Sequence, residues 1–401
     1  MKPMRLGILA PTFLPKFSGA EVFHHNLAVR LSERGHAVTV IAPRRQVRAL
    51  QELRWKLPYA LETYPANRWS WLKKHQAFAF WANRRALNAL QKKHRFDFWH
   101  SFVLYPSGVV LADWQNRSRI PGLVRAVGDD VSGLPSRGHK THVEEAMRRK
   151  LPLAGALVAL SSEMADDLAA LGVPRKKIHI IPNAVDAERF VPNLEVRASV
   201  RAGLGIKAGD FLFLCVARNH PQKDLSTLLQ AFRLLVSSAP GLNVRLVIAG
   251  RDVKSLHGQV ADLGKKIHFL EVSSESSGDA VPPMPPQKLV DLYRAADAFV
   301  LSSLLEGFSS ALVEAMASGL PVVATDVPGI RGVVANGRDG LLVPPGSPHD
   351  LSAAMRKLMK DPALCLAAAS SARSSAASYN WLTVVEAYEK LYCELTGQRR
   401  R

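Results

Sequence analysis

The sequence predicts an α/β protein made of two doubly wound halves. Three observations carry this expectation. The chain opens as strand, loop, helix and strand: an apolar run at 5–10, a helical pattern at 19–34 closed by Gly35, and a second apolar run at 37–42. An apolar run followed by a helical pattern returns at 211–217 and 225–235, so a second domain begins there. The length, 401 residues, suits two domains of roughly 150–200 residues each.

The elements follow in order. The first thirteen residues faintly mimic a signal peptide, but their apolar segment is short and reads as the first strand. Gly19 follows Ser18 at a helix start, where a backbone without Cβ can come close to a ligand. His24, His25 and His36 lack metal-ligand spacing with acidic partners and read as structural. Residues 54–95 hold ten Lys and Arg against one acid, Glu62, and five of the seven Trp fall between Trp55 and Trp99. Wound as one helix over 68–94, Leu72, Phe80, Leu87 and Leu90 make a core stripe. Lys73, Lys74, Arg84, Arg85 and Lys92 then lie opposite, among Trp71, Phe78 and Trp81. Cations interleaved with rings suit an anionic bilayer interface. Equally compatible is a reading in which the rings pack under a neighbouring loop and the cations are merely solvated.

Further strands are expected at 96–101, 123–127, 153–161 and 178–181, and helices at 144–150 and 163–171, the latter capped by Ser161 and Ser162. Asp129 and Asp130 follow one of these strands. Such a pair serves either as a turn former or as a contact to substrate. In the second half, Arg218 and Lys223 stand five residues apart in a strand-to-helix loop, where both can reach one diphosphate. Strands at 244–249 and 267–269 precede a Ser/Pro-rich insertion at 273–286, expected to be a mobile surface loop. Helices are expected at 351–359, 362–378 and 381–395, and a disordered basic tail at 399–401.

Residues 295–343 carry the densest signal. The apolar run Ala298–Leu301 reads as a buried strand, followed by a loop with Glu306 and Gly307. A helix then carries Leu312, Val313, Met316 and Ala317 on one stripe, Gly319 caps it, and residues 321–324 form the next strand. The N-terminus of a helix so placed faces the carboxyl end of the sheet and suits a phosphate. Glu314 sits inside that helix, about two turns from Glu306.

Composition narrows the function. No run approaches the roughly 18 apolar residues of a membrane span. Three scattered cysteines, Cys215, Cys365 and Cys393, argue for a reducing cytosol and against a metal cluster. The net charge of +19 is lopsided, with 29 Lys and Arg against 13 Asp and Glu in residues 1–180, and 24 against 21 in the rest. The first half therefore meets something anionic: a phospholipid surface, a phosphorylated acceptor or nucleic acid.

Glu306-Gly307-Phe308, seven residues to Glu314, then Ala-Met-Ala-Ser-Gly-Leu-Pro-Val-Val-Ala resemble the donor signature of retaining family-4 glycosyltransferases of the GT-B fold. Arg218 and Lys223 resemble that family's pyrophosphate pair. Residues 182–186 resemble its hinge, and residues 96–101 the strand that ends in its inter-domain cleft. The resemblance implies two Rossmann-like domains facing a central cleft: 1–187 binding the acceptor, 188–378 binding the donor, and 379–401 crossing back to the first domain. It implies that Glu306 holds sugar hydroxyls, Glu314 ribose hydroxyls, backbone N–H groups around Phe308, Ser309 and Ser310 a phosphate, and that the Gly19 loop lies near the donor phosphates. The chain departs from the family pattern at Ser18, Asp224 and Glu271 (glycines in the family), at Gly332 (a glutamate) and at Val127 (a histidine touching the sugar). The last departure leaves Asp129 or Asp130 as the contact there.

The expected reaction moves a hexose-type sugar from a nucleotide diphosphate sugar to an acceptor glycan or glycolipid, in cell-surface polysaccharide, lipopolysaccharide or glycolipid synthesis. No cofactor is expected, and no metal, since no Asp-x-Asp supplies ligands. The protein is expected in the cytoplasm, peripheral on the inner membrane face through residues 54–95. An epimerase on the same fold would need the histidine missing at Val127. A non-catalytic nucleotide-binding scaffold is disfavoured by the intact set of Arg218, Lys223, Glu306 and Glu314. Nucleic-acid binding lacks a motif, and a dinucleotide dehydrogenase lacks Gly-x-Gly-x-x-Gly after a strand.

Overall fold

The computed structural model describes residues 2–15, 18–64, 76–128, 141–238, 241, 243–272 and 284–398. They form two units. The first holds the described residues up to Asn183 and those from Leu382 onward, and the second runs from Ala184 to Trp381.

In the first unit β1 (Arg5–Leu9), β2 (Ala37–Pro43), β3 (Ala60–Tyr64), β4 (Phe98–Phe102), β5 (Gly122–Arg125), β6 (Ala156–Ala159) and β7 (Ile178–Ile180) form one parallel sheet. Their order is β3-β2-β1-β4-β5-β6-β7. The order reverses at β1, which pairs Leu6 with Val38 on one side and with Phe98 on the other. The central strands β1, β4 and β5 are buried on both faces, almost throughout, because helices cover both. These are α1 (Gly19–Glu33), α2 (Arg44–Glu52), α3 (Gln76–His94), α4 (Val109–Ser118), α5 (Thr141–Lys150) and α6 (Ser162–Ala170). Gly35 ends α1 at φ +90, a left-handed position that favours glycine. Ser161 caps α6 by accepting the Met164 N–H.

Of the helix expected over 68–94, the described part is helical: α3 covers Gln76–His94, and residues 68–75 lie outside the described residues. Before it lies β3, an edge strand that sequence periodicity did not reveal. Leu72, Lys73, Lys74 and Trp71 lie outside the described residues. Phe80, Leu87 and Leu90 are buried, as the stripe requires. Arg84 is not a free surface cation: its Nε lies 3.5 Å from the buried Asp113 carboxylate, which also accepts from Lys150 at 2.7 Å.

The second unit repeats the plan with β8 (Phe211–Val216), β9 (Val244–Gly250), β10 (Ile267–Glu271), β11 (Ala298–Leu301), β12 (Val322–Thr325) and β13 (Gly340–Val343), in the order β10-β9-β8-β11-β12-β13. Its helices are α7 (Leu194–Gly203), α8 (Leu225–Ser238), α9 (Gln287–Ala295), α10 (Ser310–Ala317), α11 (Pro328–Arg331), α12 (Pro348–Lys360) and α13 (Pro362–Ala376). Most of the Ser/Pro-rich insertion, and the basic tail, lie outside the described residues.

The last helix, α14 (Trp381–Thr396), lies from Leu382 onward with the first unit. Glu389 is 5% exposed and takes a two-pronged bond from Arg34, 2.8 Å to each oxygen. Tyr388 accepts from Arg125 Nε at 2.7 Å, and Tyr392 Oη meets His100 Nδ1 at 2.9 Å. Polar pairs this deep fix the helix's register on the sheet, since a slip would leave buried groups unpaired.

Candidate active site

β8 and β11 are adjacent and parallel, so their carboxyl ends open side by side. The loop after β8 carries Arg218 and Lys223, and the loop after β11 carries Glu306. Lys223 Nζ and Glu306 Oε1 form a close ion pair. Ser303 Oγ donates to the same oxygen at 2.7 Å. Glu306 is only 6% exposed, so the pair matters more than a surface one. Two further contacts stitch the loops together. Ser302 Oγ lies 2.9 Å from each of the Lys223 and Asp224 carbonyls, and the Leu304 N–H donates to the Gln222 carbonyl at 2.8 Å. The ammonium is therefore fixed relative to the carboxylate by backbone as well as by charge.

Gly329 completes the support. Its N–H donates to the Glu306 carbonyl at 3.2 Å, and a Cβ built there would meet that oxygen at 2.3 Å. Only glycine fits. Asp224 explains itself in the same way: it sits at φ 43, ψ 51, the left-handed region that glycine favours and aspartate tolerates. Its Oδ1 accepts from Ser226 Oγ at 2.7 Å and from the Thr227 N–H at 3.3 Å, capping α8. His220 opens the short turn before it, its Nδ1 accepting from the Gln222 N–H. Glu271 ends β10 and accepts from the Asp252 and Lys254 N–H groups at 3.0 and 3.1 Å. Gly332 ends α11 at an ordinary φ of −68 and is exposed.

α10 starts at Ser310 with Ser309 as its N-cap, and the Ser309 side chain makes no capping hydrogen bond. Gly307, Phe308 and Ser309 are buried, Phe308 edge-on to Tyr379 with ring centroids 5.8 Å apart. Glu314 accepts a hydrogen bond from Tyr293 Oη at 2.9 Å. Burial pushes its carboxyl up to about 7, against the Tyr293 bond and the Arg189 charge. Cys215 in β8 is no nucleophile at neutral pH, since burial raises its thiol to about 12.

Arg218, Lys223, Glu306, Gly307, Phe308, Ser309, Ser310 and Glu314 thus all belong to the second unit, at or near the carboxyl edge of its sheet. Gly19 belongs to the first unit, as the exposed first residue of α1. Val127 lies half-exposed beyond β5. Asp129 and Asp130 lie outside the described residues. Ser303, Tyr293 and Gly329 were not singled out from sequence, and only Gly329, following Pro328, carried a visible turn signal.

Residues 17–189 match the family model described as Glycosyltransferase Family 4, and residues 196–375 match Glycosyl transferases group 1. The chain belongs to the group 1 glycosyl transferases of family 4. Among curated relatives of this family, the D-inositol 3-phosphate glycosyltransferase of Nocardia farcinica is 32% identical over 260 residues, 61% of this chain and 55% of that protein. The enzyme of the same name from Corynebacterium jeikeium is 32% identical over 246 residues, 60% and 57% of the two chains. The chain thus spans little more than half the length of these curated relatives. Among solved structures, Anabaena HepE in complex with UDP and glucose aligns with a TM-score of 0.74 at 20% identity, covering 98% of this chain and 100% of that one. A glycosyltransferase from Rickettsia africae ESF-5 aligns with a TM-score of 0.78 at 16% identity, over 100% of both chains. These likenesses give the fold, which is GT-B.

Proposed function

We propose that this chain is a retaining glycosyltransferase that moves a hexose-type sugar from a nucleoside diphosphate sugar to an acceptor hydroxyl. The observation that carries the reading is the fixed Lys223–Glu306–Ser303 cluster at the carboxyl edge of the second sheet, with Glu314 in the helix that follows. Breaking the C1–O bond builds charge on the leaving diphosphate. A cation already held in place stabilises that charge without reorganisation. In this reading Lys223 and Arg218 meet the diphosphate, Glu306 and Ser303 orient the sugar, and backbone N–H groups at the N-terminus of α10 take a phosphate oxygen. The acceptor proton passes to the departing phosphate oxygen, and no metal is required. Gly19, Asp129 and Asp130 are assigned to the donor phosphates and the sugar or acceptor side. UDP and glucose in HepE, and the D-inositol 3-phosphate in the name of the curated relatives, support the substrate class.

The same reading sets the acceptor at an anionic membrane face on the cytoplasmic side, as in glycolipid or surface-polysaccharide synthesis. Phe78 and Trp81 are 52% and 47% exposed and stack on each other at 5.7 Å, with the Arg85 guanidinium 5.0 Å over the Trp81 ring. Among the described residues no helix is long and apolar enough to cross a membrane. The test of the reaction is incubation with UDP-glucose and a set of inositol and glycolipid acceptors, followed by NMR of the product's anomeric proton. An α-linked product from the α-linked donor supports retention, and a β-linked product contradicts it.

A further inference from the structure

The environment of Glu314 has a consequence for the donor site that rests on the reading above. Tyr293 Oη lies 2.9 Å from Glu314 Oε2 and 3.1 Å from the Ala311 carbonyl. A tyrosine hydroxyl has one proton and can also accept. Two arrangements of the same atoms are therefore complete. With Glu314 charged, Tyr293 donates to the carboxylate. With Glu314 neutral, the carboxylic acid donates to Tyr293, which donates to the Ala311 carbonyl. Tyr293 is itself buried, and its ring packs on Phe190 at 5.5 Å and Phe299 at 6.0 Å, so the hydroxyl cannot swing away. The one hydrogen bond recorded to the Glu314 carboxyl from the described residues goes to Oε2, and the residue as a whole is half-buried. We propose that donor binding draws a proton off Glu314, and that Tyr293 is the positioning residue that holds this carboxyl in both of its protonation states.

The balance is simple. Two vicinal ribose hydroxyls donate to a carboxylate, not to a carboxylic acid that has spent one oxygen as a donor. Binding therefore selects the charged form, and the carboxyl proton leaves to solvent. The elements packed against α10 carry these titratable and charged groups. α9 carries Tyr293, Lys288, Asp291 and Arg294, the turn Ala187–Phe190 carries Glu188 and Arg189 beside Asp186, and α13 carries Cys365 and Arg373. β11 and β12 supply none. Of these, the Tyr293 bond and the Arg189 charge favour the carboxylate, and burial opposes both. The neutral and charged forms thus lie close in energy near neutrality, where a ligand can shift one to the other.

The experiment is calorimetric titration of the full chain with UDP-glucose, whose diphosphate diester has no group titrating near neutrality. It is run at pH 7 in two buffers of different ionisation heat. ADP-glucose and GDP-mannose are used in turn if UDP-glucose gives no heat. The expected result is release of about half a proton per ligand at pH 7, and affinity about tenfold weaker at pH 6 than at pH 8. Glu314→Gln abolishes the release. Tyr293→Phe moves the midpoint of affinity against pH upward, which a purely structural role would not do. If Tyr293→Phe fails to fold, the wild-type and Glu314→Gln heats decide alone. Binding with equal heats in both buffers overturns the proton release and leaves the donor reading standing. Release that persists in Glu314→Gln overturns the assignment to Glu314. Absence of binding by all three nucleotide sugars overturns both.

Discussion

Both units place a cation at or just beyond the carboxyl edge of a parallel sheet, and they use it differently. Arg125 at the end of β5 is 1% exposed and bonded to Tyr388, Asn183 and the Ala126 carbonyl, with its guanidinium 4.0 Å over the Phe23 ring. Around it, His24 and His100 are held neutral, His24 by burial and then by the Arg125 charge, His100 by the same two causes in the same order. Lys223, after β8, faces one carboxylate and stays partly open. The first cation locks the last helix onto its sheet. The second is paired yet reachable. A buried cation with several fixed neutral partners is architecture, whereas a cation balanced by a single carboxylate can be shared with an arriving anion.

The largest effect that sharpens this contrast is on folding. Arg125→Met should cost about 3 kcal/mol, since it strands the buried hydroxyl and amide that the guanidinium satisfies. Denaturant titration reads this, and nucleotide affinity of the folded variant should be unchanged. A loss of donor affinity there would erase the distinction. Next comes Lys223→Ala, expected to lower turnover at least about tenfold, the loss of one charge-assisted contact of roughly 1.5 kcal/mol or more. Turnover at the wild-type level would remove Lys223 from the chemistry.

A smaller effect separates anchoring from binding by pH. Burial pushes Glu389 up, but Arg34 and then His36 outweigh it and hold the carboxyl below its ordinary value. A carboxylate with a lowered folded value stabilises above its unfolded value, and that contribution is lost as pH falls through the folded one. Glu389→Gln should thus cost about 1 kcal/mol near neutrality, modest because Arg34 is partly exposed. The gap to wild type should close in acid. A gap independent of pH contradicts the ionic anchor. The smallest effect is at the surface: Arg85→Glu should weaken binding to anionic liposomes several-fold, at about 1 kcal/mol per cation, and leave turnover on a water-soluble acceptor alone. Equal binding to neutral liposomes would count against the lipid reading.

How much of this was legible depended on whether the signal was local. β1, β2, β8 and β11 read directly because each is a continuous apolar run covered on both faces. Ala60–Tyr64 did not, because an edge strand covered on one side has neither a full apolar run nor a clean alternation. Lys223 and Glu306 were each named from their motifs, yet their contact joins residues 83 apart and follows only from β8 pairing with β11. Tyr293 was not singled out from the sequence. Its hydroxyl matters only because α9 and α10 bring it to Glu314, and no spacing encodes that. Asp224 read as a departure, while its left-handed backbone shows why aspartate can stand there.

The most direct measurement is a thermal-shift series with UDP, GDP, ADP, CMP and TDP on the wild-type chain and on Lys223→Ala. We expect a rise of a few degrees with one diphosphate, reflecting ligand bound only to the folded state, and its loss in the variant. No shift with any nucleotide, or the same shift in Lys223→Ala, would contradict a diphosphate held at the Lys223–Glu306 pair.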